Sequence, residues 1–148
     1  ALLSMEYIDR LINDIREIVR VRKGKPKKIM VYVVDPGAYG TLRKAIEYIV
    51  SGRTMKEFIR DIVMDAVDKR RAANIARKVY GLASSLPLYL RDLILATEFD
   101  EKKAIEALHK WIEKQVEAPL EVRYVSEARE LRGKEAYPLK PAIYIEFE

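Results

Sequence analysis

Three groups of cations are the residues whose spacing could do chemistry in this sequence, and that chemistry is the holding of phosphate. Arg20, Arg22, Lys23, Lys25, Lys27 and Lys28 follow one another with no acid between Arg20 and Lys28. Lys69, Arg70, Arg71, Arg77 and Lys78 flank Asn74, and on a helix Arg70, Asn74, Arg77 and Lys78 share one face opposite Ile75 and Val79. Arg129, Arg132, Lys134 and Lys140 surround Tyr137, a mixture of ring and charge suited to stacking on unpaired bases while holding their backbone. For the first group there is a plainer account, since cations at a helix C-terminus complement the macrodipole without any ligand.

Other chemistries find little support. With no cysteine, disulfides, thiolate zinc sites and cysteine nucleophiles are excluded. His109 is the single histidine, at the edge of an apolar stripe, and reads as structural. Ser84, Ser85 and Ser126 lie in no nucleophile-elbow context. The stretch Asp35-Pro36-Gly37-Ala38-Tyr39-Gly40 follows a strand and precedes a helix, but it lacks the glycine spacing and the lysine of a nucleotide cradle, so a plain turn is the reading. Glu101, Glu106, Glu113 and Glu117 alternate with Lys102, Lys103, Lys110 and Lys114, which predicts a solvated face of weak ion pairs, Glu106 with Lys110 among them. No catalytic or metal-ligating set emerges. The net charge of +5 and pI near 9.3 suit a nucleic-acid-binding domain, or a lysine-rich protein from a heat-adapted source. Two asparagines, Asn13 and Asn74, and one glutamine, Gln115, lean toward the heat-adapted source.

The elements that must position these residues follow from periodicity. Ile8, Leu11, Ile12, Ile15 and Val19 predict an amphipathic helix over 5–22, stopped by Gly24 and Pro26. The run from Lys28 to Val34 is apolar on both faces, as a central strand is. Helices are predicted over 38–51, from the cap Thr54 with Glu57 three residues on, over 69–86, from Pro87 to Leu95, and as one long helix capped by Asp100 with Trp111 and Ile112 facing inward. Strands over 120–125 and 142–147 complete a sheet of at least three strands. The intervening helices favour parallel pairing of the first two by a right-handed crossover, and leave the sense of the third open. The fold class is α/β, with α+β as its alternative: a small sheet packed by several helices and preceded by a long N-terminal helix. At 148 residues, with 49% hydrophobic side chains, the chain fits the length of one domain with a real core. No apolar run is long enough to span a membrane and the first residues lack a signal-peptide pattern, so a cytoplasmic location is expected.

Tyr7 to Ile18 followed by Lys25 to Val33, Leu108 to Val125, and the terminal Ala136-Tyr137-Pro138-Leu139-Lys140-Pro141-Ala142-Ile143-Tyr144-Ile145-Glu146 resemble, in the same order, the C-terminal region of archaeal-type leucyl-tRNA synthetases. The resemblance implies that residues 1–24 end an upstream helical anticodon-binding-type domain and that 25–148 form a C-terminal tRNA-binding domain. It implies tRNA(Leu) as partner, met at its long variable arm, together with the upstream catalytic and anticodon-binding-type domains of the same synthetase. The ATP-binding signatures His-x-Gly-His and Lys-Met-Ser-Lys-Ser are missing, so ATP and Mg are implied for the parent enzyme only, and no cofactor for this segment. Lys134, Tyr137, Lys140 and Ile143 are the RNA contacts that the terminal motif suggests. Arg70, Arg71, Arg77 and Lys78 are suggested by charge geometry. Three departures stand out: Pro36 to Gly40 replaces the family's tryptophan–lysine pair, Tyr80 to Leu93 matches poorly, and 126–135 is short. The alternative function is a basic protein-interaction or general RNA-binding module without tRNA specificity.

Overall fold

The sheet is built around its first strand. The structure, a computed structural model, describes residues 2–128 and 135–148. Its elements are α1 (Leu2–Arg22), β1 (Pro26–Val33), α2 (Tyr39–Val50), α3 (Met55–Met64), α4 (Lys69–Ser85), α5 (Leu88–Ala96), α6 (Glu101–Ala107), α7 (His109–Val116), β2 (Leu120–Tyr124) and β3 (Ala142–Phe147). The strand order is β2-β1-β3. β1 runs parallel to β2, from Ile29 opposite Leu120 to Val33 opposite Tyr124. It runs antiparallel to β3, with Lys28 opposite Glu146 and Tyr32 opposite Ala142. The central position explains the apolar run, because Ile29, Val31 and Val33 lose all exposure and Tyr32 and Val34 nearly all.

The chain divides into two units, 1–36 with 100–148 and 37–99. In the first, α1 buries Leu3, Tyr7, Ile8, Leu11, Ile12 and Ile15, a spacing of three and four that keeps one stripe turned inward. That stripe meets α6 and α7. The helix ends where Lys23 turns left-handed at φ 55 and its N–H reaches the Val19 carbonyl at 2.9 Å, so Lys23 does what Gly24 was expected to do. Gly24 serves another purpose: a Cβ there would stand 2.8 Å from Cδ1 of Phe147.

One long helix from Asp100 was expected, and the structure breaks it. Asp100 does cap it, accepting the Lys103 N–H at 3.3 Å, but Leu108 leaves helical geometry at φ −120, ψ 23 and separates α6 from α7. Trp111 faces outward, 46% exposed, while Ile112 and Val116 are buried. The buried positions Glu101, Ile105, Ile112 and Val116 keep a spacing of four and seven, and Trp111 lies just off that stripe.

In the second unit α4 contacts α2 and α3, and α2 contacts α5. Thr54 caps α3 as its spacing predicts, accepting the Glu57 N–H at 3.2 Å. Asp68 does the same for Arg71 at the start of α4. Phe58 is wholly buried between the rings of Tyr48 and Tyr80, at centroid distances of 5.4 and 5.7 Å. Gly52, φ 77, turns the chain between α2 and α3, in the conformation where a side chain is disfavoured.

Candidate nucleic-acid interface

On α4 the predicted stripe forms. Ala76, Val79 and Ala83 are buried, and Arg70, Arg71, Asn74, Arg77 and Lys78 are exposed. Nη1 of Arg77 donates to Oδ1 of Asn74 at 3.2 Å, which steadies the guanidinium along the helix. Among the described residues no carboxylate forms an ion pair with Arg70 or Arg77. Lys69, beside them in sequence, does different work. Its Nζ donates to the carbonyls of Val63 and Met64, both at 3.2 Å, closing the C-terminus of α3. Arg70 and Arg77, exposed and without an ion pair to a carboxylate among the described residues, are the cations of α4 best placed for phosphate oxygens, which Arg can meet with two parallel bonds.

Two carboxylates of this unit, Glu57 and Asp61, are engaged by another cation. Arg53 lies over the Tyr48 ring at 4.1 Å and pairs with Glu57 at 3.0 Å and Asp61 at 3.3 Å. Tyr48 donates its hydroxyl to Asp61, which holds that carboxyl below its ordinary range, and the Arg53 hydrogen bond does the same for Glu57. The arrangement keeps these negative charges beside Arg53.

The cluster from Arg20 to Lys28 is half neutralised. Arg20 pairs with Glu17 at 2.5 Å, Lys27 with Glu146 at 3.8 Å and Lys28 with Glu121 at 3.3 Å. Arg22 stacks over Phe147 at 4.9 Å. Lys23 and Lys25 are exposed. A groove of about 560 Å³ runs beside the edge strand β3, lined by Ile18 and Arg22, by Lys28 and Met30, and by residues 143–147, so Ile143 faces it half-buried.

The terminal motif folds into a tight turn. Tyr137 and Lys140 exchange backbone hydrogen bonds of 3.1 and 2.8 Å around Pro138 and Leu139. Proline in the second place and a left-handed residue in the third are the pattern of a type II turn, whose third place glycine or asparagine usually takes. Here it is Leu139 at φ 66, a conformation that costs a non-glycine residue roughly 1–2 kcal/mol. Oε2 of Glu101 accepts the Leu139 N–H at 3.0 Å. Lys140 is exposed, with its Nζ 3.2 Å from Asp14 on α1, and Tyr137 is half-buried. The contacts suggested by sequence thus fall in two groups: Arg70, Arg71, Arg77 and Lys78 in one unit, Tyr137, Lys140 and Ile143 in the other. Lys134, with Arg129 and Arg132, lies outside the described residues.

The acidic face read from the sequence is corrected at two positions. Glu101 is 1% exposed rather than solvated, with the Leu139 N–H of the terminal turn against it. Glu113 accepts the Leu120 N–H at 2.8 Å and ties α7 to β2. Glu106 and Lys110 form no ion pair, since Leu108 interrupts the spiral between them. His109 is structural as read: its Nε2 lies 2.6 Å from the Leu120 carbonyl and 3.3 Å from Glu113. Sequence reasoning missed the group at the ends of β1 and β2. Tyr124 donates to Asp100 at 2.7 Å, Lys102 sits over its ring at 4.8 Å and pairs with Glu127, and Ser126 donates to Asp35. Burial and then the Asp100 hydrogen bond push the Tyr124 phenol up to about 12. These bonds close the turn after β1. Among the described residues no three His, Cys, Asp or Glu side chains gather as a metal site, and no helix is long and apolar enough to cross a membrane.

No family model matches the chain. Relatives do. It is 34% identical over 144 residues to the leucine–tRNA ligase of Ignicoccus hospitalis, an alignment covering 97% of this chain and 14% of that enzyme. It is 33% identical to leucine–tRNA ligase 2 of Sulfurisphaera tokodaii and 31% identical to that of Saccharolobus solfataricus, covering 98% of this chain and 15% of either. The chain therefore spans 14–15% of the length of these relatives.

Proposed function

We infer, on the premise that this chain belongs with the C-terminal region of archaeal leucine–tRNA ligases, that it helps such an enzyme recognise tRNA(Leu) through the long variable arm. The observation that carries the reading is similarity along 97–98% of the chain to enzymes whose substrate, by name, is a tRNA. The exposed stripe on α4 supports it, because exposed cations on one helix face, Arg70 and Arg77 among them without an ion pair in the described residues, are what a polyanion displaces salt to reach. In this reading Arg70, Arg71, Arg77 and Lys78 hold phosphates and position the arm. The terminal turn and Ile143 beside β3 meet its exposed bases, which alone carry sequence. Residues 1–24 continue a helical anticodon-binding-type domain, 25–148 form the C-terminal domain, and the binding of ATP and Mg belongs to the rest of the enzyme.

Gel-shift titration of the chain tests this against leucine tRNA, the same tRNA with its variable arm shortened, and a tRNA with a naturally short arm. Tighter binding to the first is expected. Equal affinity for all three makes the chain a general RNA-binding module, and no binding to any removes the RNA reading. With four to six phosphates neutralised, log affinity should fall against log salt with a slope of roughly −4 to −5, taking the coefficient of duplex DNA.

A further inference from the structure

We propose that Glu101 is the positioning residue of the terminal turn, holding Tyr137 to Lys140 in the one conformation that meets RNA. The inference rests on the RNA reading above and deepens it at one site.

Among the described residues, Glu101 is the one charged side chain that is buried, at 1% exposure. A carboxylate in that setting is tolerated when polar contacts replace its lost water, and one of them goes to the turn: Oε2 accepts the Leu139 N–H at 3.0 Å, across 38 positions of sequence. The backbone it holds is the unusual one, a leucine at φ 66 where glycine would sit without penalty. Leu139 is itself only 5% exposed, so its side chain and its N–H are both committed inward. With Leu139 held from behind, the turn presents Lys140 outward, where it is exposed beside Asp14. The structural gain alone would be as well served by glycine at position 139. A leucine forced left-handed by a buried acid instead fixes the turn before a ligand arrives, which reduces the ordering that binding must supply.

The test compares Glu101→Gln, Glu101→Ala, Lys140→Ala and Tyr137→Ala in the full chain, by gel shift on leucine tRNA and by hydrogen exchange at the Leu139 and Lys140 amides. Glutamine keeps an acceptor oxygen, so E101Q should bind within about threefold of wild type with both amides protected. E101A should bind about tenfold more weakly, a shift of about 1.4 kcal/mol, with the Leu139 amide exchanging freely. Weaker binding by K140A or Y137A alongside wild-type binding by a folded E101A overturns the proposal while leaving the RNA reading intact. Wild-type binding by both K140A and Y137A overturns the turn as an RNA contact, and the role of Glu101 with it. If E101A does not fold, Leu139→Ala loosens the turn from its other side, keeping the left-handed strain while giving up the buried side chain: weaker binding supports the proposal and unchanged binding overturns it.

Discussion

The stripe on α4 and the terminal turn are both basic, yet they are built in opposite ways. On α4 the cations project from a regular helix whose buried side is Ala76, Val79 and Ala83, and among the described residues no carboxylate forms an ion pair with Arg70 or Arg77. At the turn, Lys140 already pairs with Asp14, Pro138 and Leu139 are buried, and Glu101 grips the backbone from within. A helix face can meet phosphates in many registers, because each long side chain swings independently. A turn held at three points offers one shape. Under the function proposed above, the difference separates strength of attachment from choice of ligand, the former resting on exposed charge and the latter on fixed geometry.

The largest effect that would break this division comes from removing charge on α4. Arg70→Ala, Arg77→Ala and Lys78→Ala together should weaken RNA binding on the order of tenfold to a hundredfold at low salt. The loss should be similar for long-arm and short-arm tRNAs, and the salt slope should fall by roughly 2 to 3 as measured by titration at several salt concentrations. A loss confined to the long-arm tRNA would place selectivity on the helix instead. Tyr137→Ala and Lys140→Ala should each cost several-fold for the long-arm tRNA, about 1 kcal/mol, and little for the short-arm one, in the same assay. Gly24→Ala should act on stability: its Cβ would press on Phe147, and because that ring must shift, thermal unfolding should show a loss of about 1 kcal/mol.

The smallest effects are those of pH, and they sharpen the comparison by showing which contacts are made before RNA binds. Glu57 and Asp61 around Arg53, and Glu121 and Glu127 beside the sheet, all have carboxyls held below the ordinary range, Glu127 chiefly by the Tyr124 N–H and then by Lys102. A lowered folded-state pKa stabilises above the unfolded value, about 4, and that contribution disappears as pH falls below it. Melting temperature should therefore decline on the acid side, and Asp61→Asn should flatten the decline. Tyr124 has the opposite sign. Its neutral form is favoured in the fold, so its contribution holds below about pH 10 and is lost as pH rises through about 12. Absorbance titration should find one phenol ionising near 12, and Asp100→Asn should bring it down.

Much of the architecture was legible because it is written locally. The spacing of Leu42, Ala45 and Ile46, the cap at Thr54, the cap at Asp100 and the unbroken apolar run of β1 each name an element within a few residues of chain. Parallel pairing of β1 with β2 followed from the helices between them. The α4 stripe was legible for the same reason, as four positions on one turn-repeat with a buried opposite side.

Tertiary structure decided the rest, at Glu101 and Lys140 through contacts between residues far apart in sequence. Glu101 reads as one more charge on a solvated helix until Leu139 arrives to donate to it. Lys69 reads as part of a phosphate cluster until the carbonyl ends of α3 claim it, and Lys140 reads as free until α1 brings Asp14 beside it. Trp111 reads as core, and the structure leaves it 46% exposed at the edge of the buried stripe. Periodicity reports the face on which a side chain lies, since that depends on backbone geometry repeated every few residues. It cannot report which distant group meets that face, and burial, charge pairing and turn strain all depend on that meeting.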